Sequence, residues 1–246
     1  MPRFFIDKSA INGSTASITG QDATHISRVL RLKSGDELVL CDGRGNDYIA
    51  LIANIDKEKV TVNITEQKKN QNEPLALVTL FQGIPKSDKM DFIIQKCVEI
   101  GIMSIVPIIT EHVVVKVDQK EAVNKRVERW NKISFEAAKQ SERGIVPKIA
   151  APMEFHDALH MVGGKYSAVI PYEKETKVGL KSFIEGIKGE KEIAVFIGPE
   201  GGFAESEVRE AVKHGAVPVT LGPRILRTET AGIFVLTILM YELGGC

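Results

Sequence analysis

The sequence predicts an α/β fold in two parts, a small N-terminal β-barrel followed by a larger domain with a mostly parallel sheet. Three observations lead to this prediction. Residues 1–70 contain short β segments separated by turn residues, Gln67–Glu73 is polar throughout like a linker, and the rest alternates apolar strands with helices, the pattern of βαβ units. A chain of 246 residues is long enough for two domains, which we place at residues 1–70 and 74–246.

In the N-terminal domain, the turn signal Asp42–Asn46 joins two strands, because glycine and asparagine tolerate the positive φ angles of tight hairpins. A short helix starting at Gly20 carries Ile26, Val29 and Leu30 at helical spacing on one side. Basic residues cluster near this helix and in the hairpin turn: Arg28, Arg31, Lys33 and Arg44. They form either an RNA-contacting edge of the barrel or solvated loop charges.

The second domain alternates strands and helices along its whole length. The predicted strands are 75–81, 105–109, 168–170, 193–197 and 217–221, and the predicted helices are 86–101, 124–140, 155–161, 178–187 and 229–243. Ligands in open α/β sheets usually bind at the carboxyl ends of the strands. The glycine-rich loops after strands 193–197 and 217–221 are therefore the candidate binding loops.

Charge and hydropathy argue against a general nucleic-acid binder, a secreted protein with a signal peptide, and a membrane protein. The 32 Lys and Arg residues are balanced by 32 Asp and Glu, so the chain lacks the positive charge of a general nucleic-acid binder, although a local basic face could still read one RNA site. Arg3 and Asp7 interrupt the N-terminal apolar residues, so we expect no signal peptide. The longest apolar run, Ile233–Tyr241, is well short of the roughly 20 residues of a membrane helix, and we expect a soluble protein.

Neither the cysteines nor the histidines form a recognisable metal site. Cys41, Cys97 and Cys246 lie far apart without a CxxC pair, which fits neither a disulfide framework nor a zinc site and favours a reducing cytoplasm. His156 and His160 are four residues apart, but the sequence offers no HExxH glutamate and no obvious third ligand. We therefore predict a cytoplasmic protein with no bound metal.

The first candidate loop is the turn Gly198–Gly202. Its spacing is neither GxGxxG nor GxxxxGK[ST], and Glu205 and Glu207 occupy the first turn of the following helix, where they would repel a phosphate. The turn carries its own carboxylate, Glu200, which suits a cationic or hydrogen-bond-donating ligand. The alternative is that the glycines serve backbone geometry alone.

The second candidate loop runs from Gly222 to Arg227 into a helix. Thr228 is a reasonable N-cap and Glu229 suits a first turn, which explains part of the motif without any chemistry. The need to begin a helix does not explain why two arginines, Arg224 and Arg227, precede a helix that is apolar on nearly every side. Such a helix must be buried all round, in a core or a subunit interface.

Five segments in order carry a resemblance to a known family. They are HISRVLRLKSGDELVLCDGRG (His25–Gly45), KSDKMDFIIQKCVEIGI (Lys86–Ile102), Gln140–Arg143, IGPEGGF (Ile197–Phe203) and LGPRILRTETA (Leu221–Ala231). Across essentially the whole chain, the sequence resembles the bacterial 16S rRNA (uracil-N3)-methyltransferases of the SPOUT superfamily. The resemblance implies a PUA-like N-terminal domain, a C-terminal trefoil knot and S-adenosylmethionine as cofactor. It also implies a homodimer that associates through the knot region and the C-terminal helix.

The resemblance also implies roles for particular residues. The implied cofactor-binding residues are Ile170, Ile197, Gly198, Pro199, Glu200, Gly201, Gly202, Leu221, Gly222, Leu226, Arg227, Thr228 and Thr230. Arg227 is the candidate that stabilises negative charge on the uracil ring, with Arg143 second, and Glu200 or Glu229 could accept the N3 proton. The candidate RNA-binding residues are Arg28, Arg31, Lys33, Lys86, Lys89 and Arg143.

We therefore expect a homodimeric enzyme that methylates N3 of one uridine in 16S rRNA, either as free RNA or in the small ribosomal subunit. N3 lies on the Watson–Crick edge, so the base must be unpaired or flipped out first. Two alternatives are a related knotted methyltransferase that acts on tRNA or a ribose 2′-oxygen, and a non-catalytic RNA-binding protein of ribosome assembly. The intact GPEGG and ILRTET segments argue against the second alternative.

Overall fold

The chain folds into two compact units. The structure, a computed structural model, describes residues 1–114 and 120–243, so Cys246 lies outside the described residues. The first unit contains Met1–Glu73 together with Ala138–Val146, and the second contains the remaining described residues. The domain predicted at residues 74–246 is thus interrupted by a short segment that belongs to the first unit.

The first unit is built on a single sheet. Its strands are β1 (Arg3–Phe5), β2 (Ile11–Asn12), β3 (Thr15–Thr19), β4 (Glu37–Cys41), β5 (Asn46–Ile55) and β6 (Lys59–Lys69). They are ordered β1-β4-β5-β6-β3-β2, with β1 and β4 parallel and the other neighbours antiparallel. Side chains of five strands, including Phe4, Ile18, Leu40, Ile52 and Val62, share one apolar core. The sheet therefore curves around this core, as expected of a small barrel-like domain.

The helix predicted after Gly20 is present, but the prediction of its apolar face was wrong. Helix α1 (Gly20–Thr24) widens into a π-helical turn, His25–Val29. The wider turn breaks the i, i+3, i+4 register on which the prediction rested. As a result Ile26 is fully buried, while Val29 and Leu30 are 66% and 39% exposed.

The predicted linker is not a free connection. Gln67–Lys69 are the end of β6. The carboxylate of Glu73 accepts a hydrogen bond from the Arg143 guanidinium (2.6 Å) and others from the backbone N–H groups of Gly144 and Ile145 (2.8 and 2.9 Å). The polarity of this stretch therefore reflects an exposed strand end and a hydrogen-bonded turn.

The second unit is an α/β fold on a parallel sheet, as predicted. Its strands are β7 (Leu77–Gly83), β8 (Ser104–Ile109), β9 (Lys148–Ile149), β10 (Met153–Glu154), β11 (Ser167–Pro171), β12 (Glu192–Ile197) and β13 (Val217–Val219). Its helices are α2 (Lys89–Ile100), α3 (Lys120–Gln140), which ends in the first unit, α4 (Phe155–Val162), α5 (Leu180–Gly186), α6 (Glu205–Lys213) and α7 (Thr228–Glu242). The sheet order is β10-β8-β7-β12-β11-β13, with β9 also on β8, and each of these pairs is parallel.

Aromatic side chains fill much of the core of the second unit. The rings of Phe81 on β7 and Phe196 on β12 stack at 4.6 Å, and Phe155 packs against Phe196 and Phe203. Each strand and helix predicted for this domain corresponds to an observed element, whereas β9 and β10 were not predicted, because two-residue strands show no alternation. The trefoil knot implied by the resemblance stays a prediction, because strand order alone does not define how the chain is threaded.

Helix α7 is buried on most of its surface within the described chain, and the all-round burial predicted in a core or a subunit interface stays a prediction for its remaining face. Val235, Leu236, Leu239 and Met240 are buried. The residues at 230, 234, 237 and 241 form an exposed stripe at helical spacing, in which Phe234 is 39% and Tyr241 is 76% exposed. Within the described ranges, no helix has the length and hydropathy needed to span a membrane.

Candidate functional site

A cleft of about 880 Å³ opens in the second unit where β11, β12 and β13 end. Its walls are the segment 171–176, the first loop (Ile197–Phe203) and the second loop (Leu221–Arg227). In the sheet β11 lies between β12 and β13, and all three strands run parallel, so their carboxyl ends meet at one edge. This is the usual ligand position in such sheets, and both glycine loops predicted from the sequence are part of it.

Close packing explains why the first loop is rich in glycine. A Cβ added to Gly83, at the end of β7, would lie 2.6 Å from both the Cδ atom and the backbone nitrogen of Pro199. A Cβ on Gly198 would lie 3.0 Å from the next turn of the same loop, and one on Gly201 would lie 2.9 Å from the Cβ of His112. Backbone geometry is therefore a sufficient reason for these glycines, and it also exposes backbone groups to the cleft.

The hydroxyl of Thr228 connects the first loop to the start of α7. It donates a hydrogen bond to the Gly198 carbonyl (2.6 Å) and accepts one from the side-chain amide of Gln82 (2.8 Å). The prediction that Thr228 is the N-cap was wrong, since Arg227 occupies that position and Thr228 is the first helical residue. The Thr228 hydroxyl therefore bonds to the first loop and to β7, and it does not cap α7.

Most of the predicted cofactor residues line this cleft. They are Ile197, Gly198, Pro199, Glu200, Gly201, Gly202, Leu221, Gly222, Leu226, Arg227 and Thr228. Ile170 does not, because it is fully buried in the core, and Thr230 is exposed on α7 outside the cleft lining. Strand β11 runs one residue further than predicted, so that Pro171 and Tyr172 reach the cleft in place of Ile170.

Three charged side chains meet at one side of the cleft. The Nζ atom of Lys89, the first residue of α2, lies 3.0 Å from Glu200 Oε1 and 3.3 Å from Glu229 Oε2. Partial burial raises the pKa of Glu200, but hydrogen bonds from its own backbone N–H, from Lys89 and from the backbone N–H of Lys86 together leave that pKa lowered. The hydrogen bond to Glu200 is the main reason that the pKa of Lys89 is raised. Glu200 therefore stays ionised at neutral pH, held by Lys89 on α2 and by the backbone of Lys86 just before that helix.

The second loop carries two unpaired cations. Arg224 and Arg227 line the cleft and are exposed, and within the described part of the chain neither guanidinium has a hydrogen-bond or ion-pair partner. Ile225 between them is 89% exposed. Unlike the first loop, this loop exposes two positive charges and an apolar side chain, and neither charge is paired within the described chain.

Arg143 is not part of the cleft lining, and it belongs to the first unit. Its side chain is 3% exposed and pairs with Glu73. A buried and paired guanidinium offers no surface to an RNA phosphate or a reacting base, which argues against both roles predicted for Arg143. Arg28, Arg31 and Lys33 are exposed in the same unit and stay predicted RNA-binding residues.

The N-terminus of α6 is occupied by the protein's own carboxylate. Glu207 accepts hydrogen bonds from the backbone N–H groups of Ala204 (2.8 Å) and Glu111 (2.9 Å). Ala204 has no side-chain acceptor, so only this half of a capping box forms. A helix start that already holds a carboxylate is a poor phosphate site, in agreement with the sequence argument.

The two spaced histidines contact each other. The Nε2 atoms of His156 and His160 lie 3.0 Å apart, and His156 Nδ1 contacts the Glu210 carboxylate. Among the described residues, no group of three or more His, Cys, Asp or Glu side chains is arranged to hold a metal ion. The structure thus gives no positive sign of a metal centre.

Comparison with known proteins gives the class of this chain. The family model "RNA methyltransferase domain" matches residues 71–240, and the model "RNA methyltransferase PUA domain" matches residues 18–65. The chain thus contains an RNA methyltransferase domain preceded by a PUA domain.

Individual relatives narrow the class to a family. The chain is 37% identical to Ribosomal RNA small subunit methyltransferase E of Bacillus subtilis, with 98% of this chain and 97% of the relative covered. It is 30% identical to the same-named protein of Neisseria gonorrhoeae, solved bound to S-adenosyl methionine, with a TM-score of 0.84 and 98% and 97% of the two chains covered. A putative methyltransferase from Legionella pneumophila, solved with its bound cofactor SAM, aligns with a TM-score of 0.82 at 30% identity, covering 98% and 97%. The chain belongs to the ribosomal RNA small subunit methyltransferase E family. The family predicted from the five motifs is confirmed.

Proposed function

We propose that this chain transfers the methyl group of S-adenosylmethionine to N3 of a uridine in 16S rRNA. The observation that carries the proposal is the cleft at the ends of β11, β12 and β13, because its first and second loops contain the IGPEGGF and LGPRILRTETA segments. A relative with the same overall fold has S-adenosyl methionine bound. The alternatives of a tRNA or ribose target and of a non-catalytic assembly protein are not favoured by the family to which the chain belongs.

The cleft fits this cofactor in size and chemistry. Its volume of about 880 Å³ lies in the usual range for small-molecule sites. Backbone groups of the two loops can hydrogen-bond the edges of an adenine, and Leu221 and Leu226 can cover its faces. Glu200 places a negative charge beside the cleft, which suits a cationic donor. When bound, the cofactor supplies a methyl group made electrophilic by its sulfonium.

Arg227 is the best-placed residue for charge stabilisation. As methyl transfer removes the N3 proton, negative charge develops on the ring oxygens, and a free guanidinium at the cleft can stabilise it. Glu200 has a lowered pKa and several hydrogen-bond donors, which make it a poor proton acceptor and a good anchor for the first loop. Glu229, which does not line the cleft but pairs with Lys89 beside it, is left as the candidate acceptor. We assign Arg143 a structural role in the first unit, where it pairs with Glu73.

Exposed aromatic and basic side chains provide surfaces for a second copy of the chain and for rRNA. Phe234 and Tyr241 on α7, and Phe92 on the adjacent α2, are exposed aromatic side chains that would be covered in a homodimer. The exposed basic residues of the first unit, Arg28 and Arg31, would contact rRNA. We place the enzyme in the cytoplasm, where its substrate is made. Sedimentation velocity would test the dimer directly.

Methyl transfer from labelled S-adenosylmethionine tests the function. We expect label in 16S rRNA, with 3-methyluridine as the only new nucleoside in its digest, and offering free rRNA and whole small subunits in parallel identifies the accepted form. Nucleoside mass spectrometry of cells that lack the protein should show the loss of 3-methyluridine from rRNA. Loss of a tRNA or ribose mark, with 3-methyluridine unchanged, would reject the proposal.

A further inference from the structure

We propose that Lys89 is a positioning residue of the cofactor cleft, which holds the carboxylates of Glu200 and Glu229, and that it is not an RNA contact. The inference rests on the proposed function, because it gives this cluster a role in binding S-adenosylmethionine. It also reassigns a residue, since the sequence placed Lys89 among the RNA-binding candidates.

The geometry commits the Lys89 ammonium to the cleft. It contacts Glu200 in the first loop at 3.0 Å and Glu229 in the first turn of α7 at 3.3 Å. One side chain thus joins three elements, the start of α2, the first loop and the start of α7. An ammonium has three N–H donors, and two carboxylates already lie around this one. The side chain of Lys89 is 28% exposed, and its charged end is already paired with two carboxylates.

The charges explain why a cation is needed at this point. Two carboxylate oxygens at 3.0 and 3.3 Å from one nitrogen lie within about 6 Å of each other, where like charges repel. Lys89 offsets that repulsion and leaves the cluster with a net negative formal charge. A net negative cluster beside the cleft is complementary to a sulfonium ligand. Glu200 can therefore stay both ionised and fixed in the loop that lines the site.

Removing the ammonium has two distinct consequences. The first loop loses its ion pair with Lys89 on α2, although the backbone N–H of Lys86, just before that helix, still binds Glu200. The pKa of Glu200 also rises, because Lys89 no longer favours its charged form. The affinity for the cofactor should therefore fall and become more dependent on pH than in the wild type. A lysine that only packs against the helix surface would not produce the second effect.

The test measures binding of S-adenosylmethionine by calorimetry in the absence of RNA, between about pH 4.5 and 7.5, a range that includes the ordinary titration range of a carboxyl group. The variants are Lys89→Met, Lys89→Arg and the control Lys96→Met, which removes an ammonium from the same helix that pairs with Glu99 instead. We expect Lys89→Met to weaken binding roughly threefold to tenfold at neutral pH, with a ratio to wild type that grows as the pH falls toward the ordinary carboxyl range. Because each Kd is compared with wild type at the same pH, titration of the ligand cancels. Lys89→Arg should stay within about twofold of wild type, as should Lys96→Met.

The outcomes separate this inference from the proposed function. Wild-type protein that fails to bind the cofactor would reject the proposed function and this inference with it. Wild-type protein that binds, together with a Lys89→Met variant of equal affinity at every pH, would overturn the inference alone. If that variant also bound rRNA more weakly and with a shallower salt dependence, Lys89 would be the RNA contact predicted from the sequence.

Discussion

The two loops of the cleft are held in very different ways. The first loop packs against Gly83, and its Glu200 pairs with Lys89 on α2. The Gly198 carbonyl in the same loop accepts a hydrogen bond from the Thr228 hydroxyl. The second loop is exposed from Gly222 to Ile225, and its arginines have no partner among the described residues. A rigid surface binds a ligand without paying to reorganise. The first loop is therefore a preformed surface, whereas the second keeps charged groups free for molecules from outside the chain.

The largest effect should come from Arg227 in the second loop. Arg227→Ala should lower the rate of methyl transfer by about a hundredfold or more, because a charge-stabilising group at the reacting base is lost. Stability to denaturant should be unchanged, since this guanidinium is exposed and makes no hydrogen bond or ion pair with the described residues. Arg209→Ala, which removes an exposed arginine that pairs with Glu205 on α6, is the control and should keep full activity. An Arg227→Ala enzyme as active as wild type would remove the catalytic role.

Gly83→Ala tests how rigid the first loop is. The added methyl group would meet Pro199 at 2.6 Å, so the loop must move away from β7. We expect a loss of about 1–3 kcal/mol in the free energy of unfolding and at least tenfold weaker cofactor binding. Denaturant unfolding and calorimetry measure the two effects. Gly186→Ala at the end of α5, where a methyl group meets no neighbour within 4 Å, should be neutral or stabilising. If both variants behaved like wild type, the first loop would be as adaptable as the second.

Thr228→Val removes the link between the first loop and α7 at nearly constant volume. The Gly198 carbonyl would lose its donor and the Gln82 amide one of its acceptors, in a site where Thr228 is 6% exposed. Leaving such groups unpaired costs about 1–3 kcal/mol of unfolding free energy. Thr228→Ser keeps the hydroxyl and should recover most of that stability in the same measurement. Equal losses in the two variants would show that the methyl group matters and the hydrogen bonds do not.

The smallest effect should be the acid dependence contributed by Glu200. Its pKa is lowered from an ordinary value of 4.5, so its ionised form stabilises the folded state. That contribution is present above the ordinary value and is lost as the pH falls through the lowered pKa. The stability advantage of wild type over Glu200→Gln should therefore shrink as the pH falls below about 4.5, and it should stay under about 1 kcal/mol because the pair is partly exposed. An advantage that is independent of pH would mean that the shape of the side chain, and not its charge, anchors the loop.

Local sequence patterns predicted the cleft well. Apolar strands followed by Gly198–Gly202 and Gly222 placed both loops at strand ends, and parallel pairing then brought those ends together. Helix α2 was also predicted, with Met90 and Ile94 among its buried residues. These features depend on residues that are neighbours in sequence, where periodicity and turn chemistry are visible.

Contacts between distant residues could not be predicted in this way. Arg143 was assigned to catalysis by the family resemblance, and nothing near it in sequence shows that it pairs with Glu73, 70 positions away. Lys89 was predicted to bind RNA, and its ion pairs with Glu200 and Glu229 could not be foreseen because these partners belong to other elements. The π-helical turn after Thr24 likewise turned Val29 outward against a helical pattern that fitted well.

The return of residues 138–146 to the first unit limits how the protein can be divided. Lys139 reaches Asp22 at 2.9 Å, and Glu73 binds Arg143 and the two residues after it. A truncation after residue 73 would leave the Glu73 carboxylate without those donors and the N-terminal sheet without a segment that packs on it. The two units are therefore not interchangeable modules along the chain. Insertion, deletion or recombination at the apparent boundary would damage the N-terminal unit, even when the cut falls outside its strands.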